Sequence, residues 1–217
     1  MLTAHAAEGL ARLNDLLPLA ARQAVLPVPL RDLHRSILRG FAGSGAPPNR
    51  DRLAALPGIA DLDAALQELA ALDLVVLEPG GTGVVGAYPF TLDERVHRVS
   101  VNGHSVFAMC ALDALSVAPM FDVATRIDSA CHVSGEPLVV DMQGAAVLGV
   151  QPVAPVVGIR WQSTSGCAAQ SLCLEMVFLR DCATASGWQQ QDPASISLFA
   201  LDEAVAIGSA FFSPLTG

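Results

Sequence analysis

Over residues 1–72 apolar side chains recur every three or four positions, the period of amphipathic helices. Leu10, Leu13, Leu17 and Ala20 or Ala21 mark one face of an opening helix over 1–24, interrupted or kinked at Pro18. Leu30, Leu33, Ile37 and Phe41 mark a second helix, stopped by the loop Gly43-Ser44-Gly45-Ala46-Pro47-Pro48. Asn49 is placed to cap a short third helix, Arg50 to Leu56. Asp61 is placed to cap a fourth, with Leu62, Ala65, Leu66, Leu69 and Leu72 as its buried stripe.

The period then shortens to two. Leu74 to Leu77 reads as a strand, followed by the turn Glu78-Pro79-Gly80-Gly81 and a return strand near Val84-Val85. Helices followed by a two-stranded ribbon is the order of a winged helix-turn-helix, a module that usually binds DNA. The candidate recognition helix carries Asp61, Asp63 and Glu68 and neither Lys nor Arg, so it would repel phosphate. The module is expected to be structural, or a lid over a neighbouring site. Gly81-Thr82-Gly83-Val84-Val85-Gly86 matches a dinucleotide-binding pattern literally, but Ala87-Tyr88-Pro89-Phe90 cannot open the helix that pattern requires; the glycines are read as the ribbon tip.

Beyond residue 88 the chain reads as strands: Val96 to Val101, Val123 to Ile127, Leu138 to Asp141, Val147 to Val150, Val156 to Trp161, Leu174 to Leu179 and Ser195 to Leu201. Between the first two lies Ser105 to Met120, read as a mostly apolar helix with Ser105 as its cap and Pro119 as its stop, entered through Asn102-Gly103. A final helix spans Asp202 to Phe212, and Cys182 reads as lying in a polar loop before it. The expected fold class is α+β: a winged-helix-like helical module over residues 1–87, and over 88–217 a small mixed or antiparallel sheet with flanking helices.

Charge and cysteine usage narrow the function. The chain of 217 residues carries 12 Lys and Arg against 21 Asp and Glu, a net charge of −9, so no nucleic-acid partner is expected. No apolar run approaches the roughly 18 residues of a membrane span. The N-terminal stretch lacks a cationic segment followed by an apolar one, and five cysteines (Cys110, Cys131, Cys167, Cys173, Cys182) are an odd number. Reduced thiols in a cytoplasmic setting follow.

On the apolar helix the only reactive side chains are Cys110 and Asp113, at i and i+3 on one face. They read either as a small core hydrophobe with a satisfied acid, or as a reactive pair. No C-x-x-C occurs and the Cys131-His132 adjacency is poor ligand spacing, which disfavours structural zinc. A Cys-His-Asp hydrolase would need a base among His5, His34, His97, His104 and His132, and no spacing singles one out. Two thiolates converging on a soft cation beside a desolvated acid is the more specific arrangement. The thiolates select the cation, and the acid can deliver a proton to the group that leaves it.

Cys110-Ala111-Leu112-Asp113-Ala114-Leu115, then Ala130 to Pro137, Gln170-Ser171-Leu172-Cys173 and Val177-Phe178-Leu179, resemble the organomercurial (alkylmercury) lyases in order and spacing. Gly86 to Thr91, Trp188 and Leu201 to Gly208 extend the likeness over residues 86–212; it is looser in the helical part. The resemblance implies protonolysis of carbon–mercury bonds, giving a hydrocarbon and Hg(II). Cys110 and Cys173 would be the mercury-binding thiolates and Asp113 the proton-transferring acid, with mercury as substrate and product and no cofactor required. Cytosolic thiols or a mercuric reductase would accept the metal. Cys131 matches a further family cysteine, read as structural. Two departures touch metal hand-off: Leu174 stands where members often have a second cysteine, and Ala169 where they often have a basic residue; Cys167 is a candidate accessory thiol. The alternative is a non-catalytic soft-metal or organometal-binding protein or sensor on the same scaffold.

Overall fold

In the computed structural model, which describes residues 2–164 and 166–217, five helices come first: α1 (Ala4–Leu16), α2 (Leu19–Ala24), α3 (Val28–Ser44), α4 (Arg50–Ala54) and α5 (Leu62–Ala71). Their boundaries follow from local chemistry. Pro18 separates α1 from α2, and Gly45 ends α3 with φ of 76°. Asn49 accepts the Arg52 N–H at 3.0 Å, and Asp61 accepts the Ala64 N–H at 3.1 Å, as side-chain caps do.

Eight strands form one antiparallel sheet: β1 (Val76–Leu77), β2 (Val84–Ala87), β3 (Phe90–Thr91), β4 (His97–Val101), β5 (His104–Ala108), β6 (Ala124–Ala130), β7 (Pro137–Gln143) and β8 (Ala146–Gln151). Their spatial order is β1-β2-β3-β5-β4-β6-β7-β8. Three more, β9 (Val156–Arg160), β10 (Met176–Leu179) and β11 (Ile196–Ala200), form a second antiparallel sheet with β9 in the middle. The fold is α+β. The large sheet takes strands from both sides of residue 88, β1 and β2 before it and β3 to β8 after it, and one continuous cluster of buried side chains extends from Ala6 to Leu215.

Between the sheets lies helix α6 (Ala111–Phe121), with nine of its eleven residues buried, against β4, β5, β6 and β10 and against helix α8 (Leu201–Phe212). Helix α7 (Cys182–Gln189) covers the small sheet. The α6–α8 approach is close. A Cβ on Gly208 would stand 2.4 Å from Ser116 Oγ, whose hydroxyl donates to the Leu112 carbonyl at 2.6 Å.

Three expectations are corrected. Ser105 does not cap a helix: residues 104–108 are β5, paired with β4 through a two-residue turn at Asn102-Gly103. Both turn residues have positive φ (49° and 85°), the conformation an Asn-Gly hairpin favours, and the apolar run that follows was compatible with either strand or helix. Pro119 lies inside α6 rather than stopping it; the helix ends at Phe121, with Asp122 left-handed at φ 52°. Cys182 opens α7 instead of sitting in a loop, because Asp181 caps that helix by accepting the Thr184 N–H at 2.8 Å.

His34 fastens the N-terminal helices to the rest. Its buried ring accepts from the Gln23 amide at Nδ1 (2.8 Å) and donates from Nε2 to the Leu74 carbonyl (3.1 Å); Gln23 also donates to the Leu215 carbonyl. Burial lowers the His34 pKa from its ordinary 6.5 to about 4, so the unfolded chain binds the extra proton between those values. The stability advantage of wild type over His34→Gln should therefore be fully present above pH 6.5. It should shrink by at most about 3 kcal/mol as pH falls to 4. Denaturant titrations across that range check this, and a pH-independent difference contradicts it. Gly208→Val should cost about 2 kcal/mol or more through overpacking. Gly187→Ala, on an exposed helical position with nothing within 4 Å, should be neutral or stabilise by about 0.5–1 kcal/mol.

Candidate active site

Strand β5 ends at Ala108, and after a bend Cys110 itself is extended (φ −151°, ψ 177°) where the chain turns into α6. Cys110 is thus the residue that caps the helix rather than one a turn or two inside it. Its Sγ accepts the Asp113 N–H at 3.2 Å. Sulfur is a weak acceptor where Ser, Thr, Asp or Asn would serve better, so capping alone does not account for a cysteine there. The spacing read from the sequence survives the shift, and Asp113 lies in the first turn beside Cys110.

Cys173 arrives from far along the chain. After β9 the backbone makes two short 3-10 turns, Ala168–Gln170 and Leu172–Glu175, then enters β10 beside α6. The Sγ atoms of Cys110 and Cys173 and a carboxylate oxygen of Asp113 all lie within 4.8 Å of one another. The three residues are only 1%, 3% and 1% exposed, respectively. Cys110 also donates to the thioether of Met176 at 3.7 Å, a soft neighbour that the sequence showed only as part of an apolar strand.

The electrostatics of this cluster follow from dryness. Burial raises Asp113 from the ordinary carboxyl value of 3.8 to about 7, with the adjacent thiols opposing part of the shift. Neither carboxylate oxygen has a regular hydrogen-bond partner among the described residues. Burial also pushes the Cys110 thiol well above its usual range. For Cys173 a hydrogen bond with Cys110 favours the thiolate, but burial and the neighbouring Asp113 outweigh it and hold the thiol at about 11. Both thiols are therefore protonated at neutral pH, and Asp113 is the first of the three to give up its proton.

All five cysteines are free. Cys131 sits at the β6–β7 turn, where its backbone pairs with Glu136 and Gly135, and Cys182 is exposed; neither joins the cluster. No histidine joins it among the described residues. His5 stacks on Phe199, His97 bonds Ser129, and His132 meets the edge of Trp188, leaving a Cys-His pair without geometry.

Sequence reasoning overlooked a second group. Tyr88, in the turn between β2 and β3, donates from its hydroxyl to Asp73 Oδ1 at 2.8 Å and accepts the Ala169 N–H at 2.9 Å. Cys167 Sγ lies 3.3 Å from the same oxygen; since the phenol proton goes to Asp73, the thiol donates. Asp73 Oδ2 accepts the Ala168 N–H at 3.1 Å and faces Arg22 at 3.7 Å. The signal available was modest: Tyr88 is the chain's single tyrosine, in the conspicuous Ala87-Tyr88-Pro89-Phe90 stretch.

Comparison with known proteins places the chain among relatives. The chain is 29% identical over 181 residues to an alkylmercury lyase of Staphylococcus epidermidis, an alignment spanning 83% of this chain and 82% of that protein. It is 29% identical over 139 residues to an alkylmercury lyase of Pseudomonas putida, and 27% over 126 residues to one of Bacillus cereus. These two alignments span 61% and 58% of this chain and 65% and 57% of the relatives. The crystal structure of the mercury-bound form of MerB2 superposes with a TM-score of 0.78, covering 94% of this chain and 99% of that one at 20% identity, a likeness of fold. The alkylmercury lyase family model matches residues 90–213, which contain the whole thiol–carboxyl cluster, and the chain belongs to that family.

Proposed function

We propose that the protein is an organomercurial lyase that cleaves carbon–mercury bonds by protonolysis at Cys110, Cys173 and Asp113. The observation that carries this reading is the meeting of two thiols and an unpartnered carboxyl group in one dry spot. Thiolates are the protein ligands that select a soft cation such as mercury.

The protons balance without a cofactor. A substrate R–Hg–SR′ exchanges its thiolate for one cysteine sulfur, and that cysteine's proton leaves with R′SH. The second cysteine then binds mercury and gives its proton to the Asp113 carboxylate. Mercury held by two sulfurs places more electron density on the bond to carbon. Asp113 then protonates the departing carbon, R–H leaves, and Hg(II) stays on the two sulfurs while Asp113 returns to its starting state. The raised pKa of Asp113 matches this double duty, since a group near neutrality both accepts and donates. Cytosolic thiols or a mercuric reductase then remove Hg(II) in a cytoplasmic compartment. Among the described residues no helix is long and apolar enough to cross a membrane.

Residues 1–87 act as a winged-helix-like module that shields the catalytic region, 88–217. Acidic Asp61, Asp63 and Glu68 on and beside α5 suit that role better than contact with nucleic acid. Purified reduced protein given phenylmercury and excess thiol should release benzene over many turnovers, read by gas chromatography. Cys110→Ser and Cys173→Ser should each fall to the uncatalysed background. Wild-type rates in either variant, or stoichiometric mercury binding with no benzene from wild type, would overturn the reading.

A further inference from the structure

With its three reactive groups at most 3% exposed, the site admits substrate only if one wall moves. Helix α6 is a poor candidate, being buried on nearly every face. The segment carrying Cys173 is different: residues 166–175 form only a bend and two short 3-10 turns and belong to neither sheet. What ties it to the body at its outer end is the Asp73–Tyr88 pair, through the amides of Ala168 and Ala169. Beyond that tie lies an open cavity of about 470 Å³, lined among others by Asp73, Val76, Gly166, Cys167 and Gln170.

Asp73 holds an unusual backbone position. It follows the end of α5 with φ of 54°; its N–H bonds the Ala70 carbonyl and that of Leu74 bonds the Leu69 carbonyl. This is a helix end that glycine usually fills, and a residue with a Cβ costs roughly 1 kcal/mol there. The backbone gives no reason for an aspartate. Its carboxylate does, since one oxygen takes the Tyr88 hydroxyl and the other the Ala168 amide.

We infer that Asp73 and Tyr88 are positioning residues of the lyase reaction: they latch the Cys167–Cys173 segment so that the Cys173 thiol stays against Cys110 and Asp113. Release of the latch opens the route from the outer cavity for substrate. This inference rests on the lyase reading for its kinetic consequence, but the latch itself is measurable without it.

Tyr88→Phe keeps the ring and removes the hydroxyl. Asp73→Gly keeps the helix end, relieves its strain and removes the carboxylate. In metal-free reduced protein, Cys173 should react with N-ethylmaleimide about tenfold faster in both variants than in wild type, read on the Cys173 peptide by mass spectrometry. Relief of strain in Asp73→Gly should offset part of the cost of the lost hydrogen bonds, so labelling is compared at temperatures where this variant and wild type are both fully folded, which separates the latch from general stability. With phenylmercury, both variants should lose about tenfold in kcat with KM changed much less, and Asp73→Asn should recover part of the loss. Labelling of Cys173 within twofold of wild type in folded Asp73→Gly would overturn the latch, whether or not Tyr88→Phe folds. Faster labelling with no benzene from wild type would keep the latch and remove the lyase reading instead.

Discussion

The structure depends on keeping a carboxyl group and two thiols dry at the N-terminus of one helix. A buried acid whose neighbours are two thiols, weak donors at best, is an arrangement that packing alone would eliminate, because a poorly partnered polar group costs about 1–3 kcal/mol. The surrounding architecture is arranged to meet that cost. The β4–β5 hairpin delivers Cys110 in extended backbone, and α8 closes over α6 through the missing side chain of Gly208. The small sheet, with β9 at its centre, brings Cys173 back to the same point.

Dryness also sets the chemistry. In water Asp113 would be a carboxylate of little use as an acid; burial raises it to about 7, which suits the proposed transfer of one proton from sulfur to carbon. The same burial holds both thiols protonated, so the protons needed by the leaving thiolate and the departing carbon are already present in the resting site. A sealed site then needs an entrance. The short turns that carry Cys173 belong to neither sheet and are fastened at one end by Asp73 and Tyr88, which makes them the part of the wall proposed to open.

Much of this was legible in the residues themselves. Asn49 and Asp61 announced the starts of α4 and α5, and alternation along 123–150 gave β6, β7 and β8 nearly in place. The Ser105 to Ala108 strand was not legible, because a continuous apolar run carries no period that separates strand from buried helix. Asn102-Gly103 was the better guide there. Cys110 and Asp113 could be paired by spacing, whereas Cys173 could not: it comes to them through tertiary structure alone, and only the family resemblance linked them beforehand. Asp73 and Tyr88 escaped notice for a related reason. Their partners are backbone amides of a distant loop, which leave no pattern in side-chain chemistry.

In the proposed reaction the cysteines hold mercury while Asp113 moves the proton. Its most direct test is a single turnover of Asp113→Asn with one equivalent of phenylmercury, following both the bound metal and the benzene. The variant should retain phenylmercury stoichiometrically on Cys110 and Cys173 and release benzene about 10²–10⁴-fold more slowly than wild type. Benzene release at the wild-type rate would contradict it.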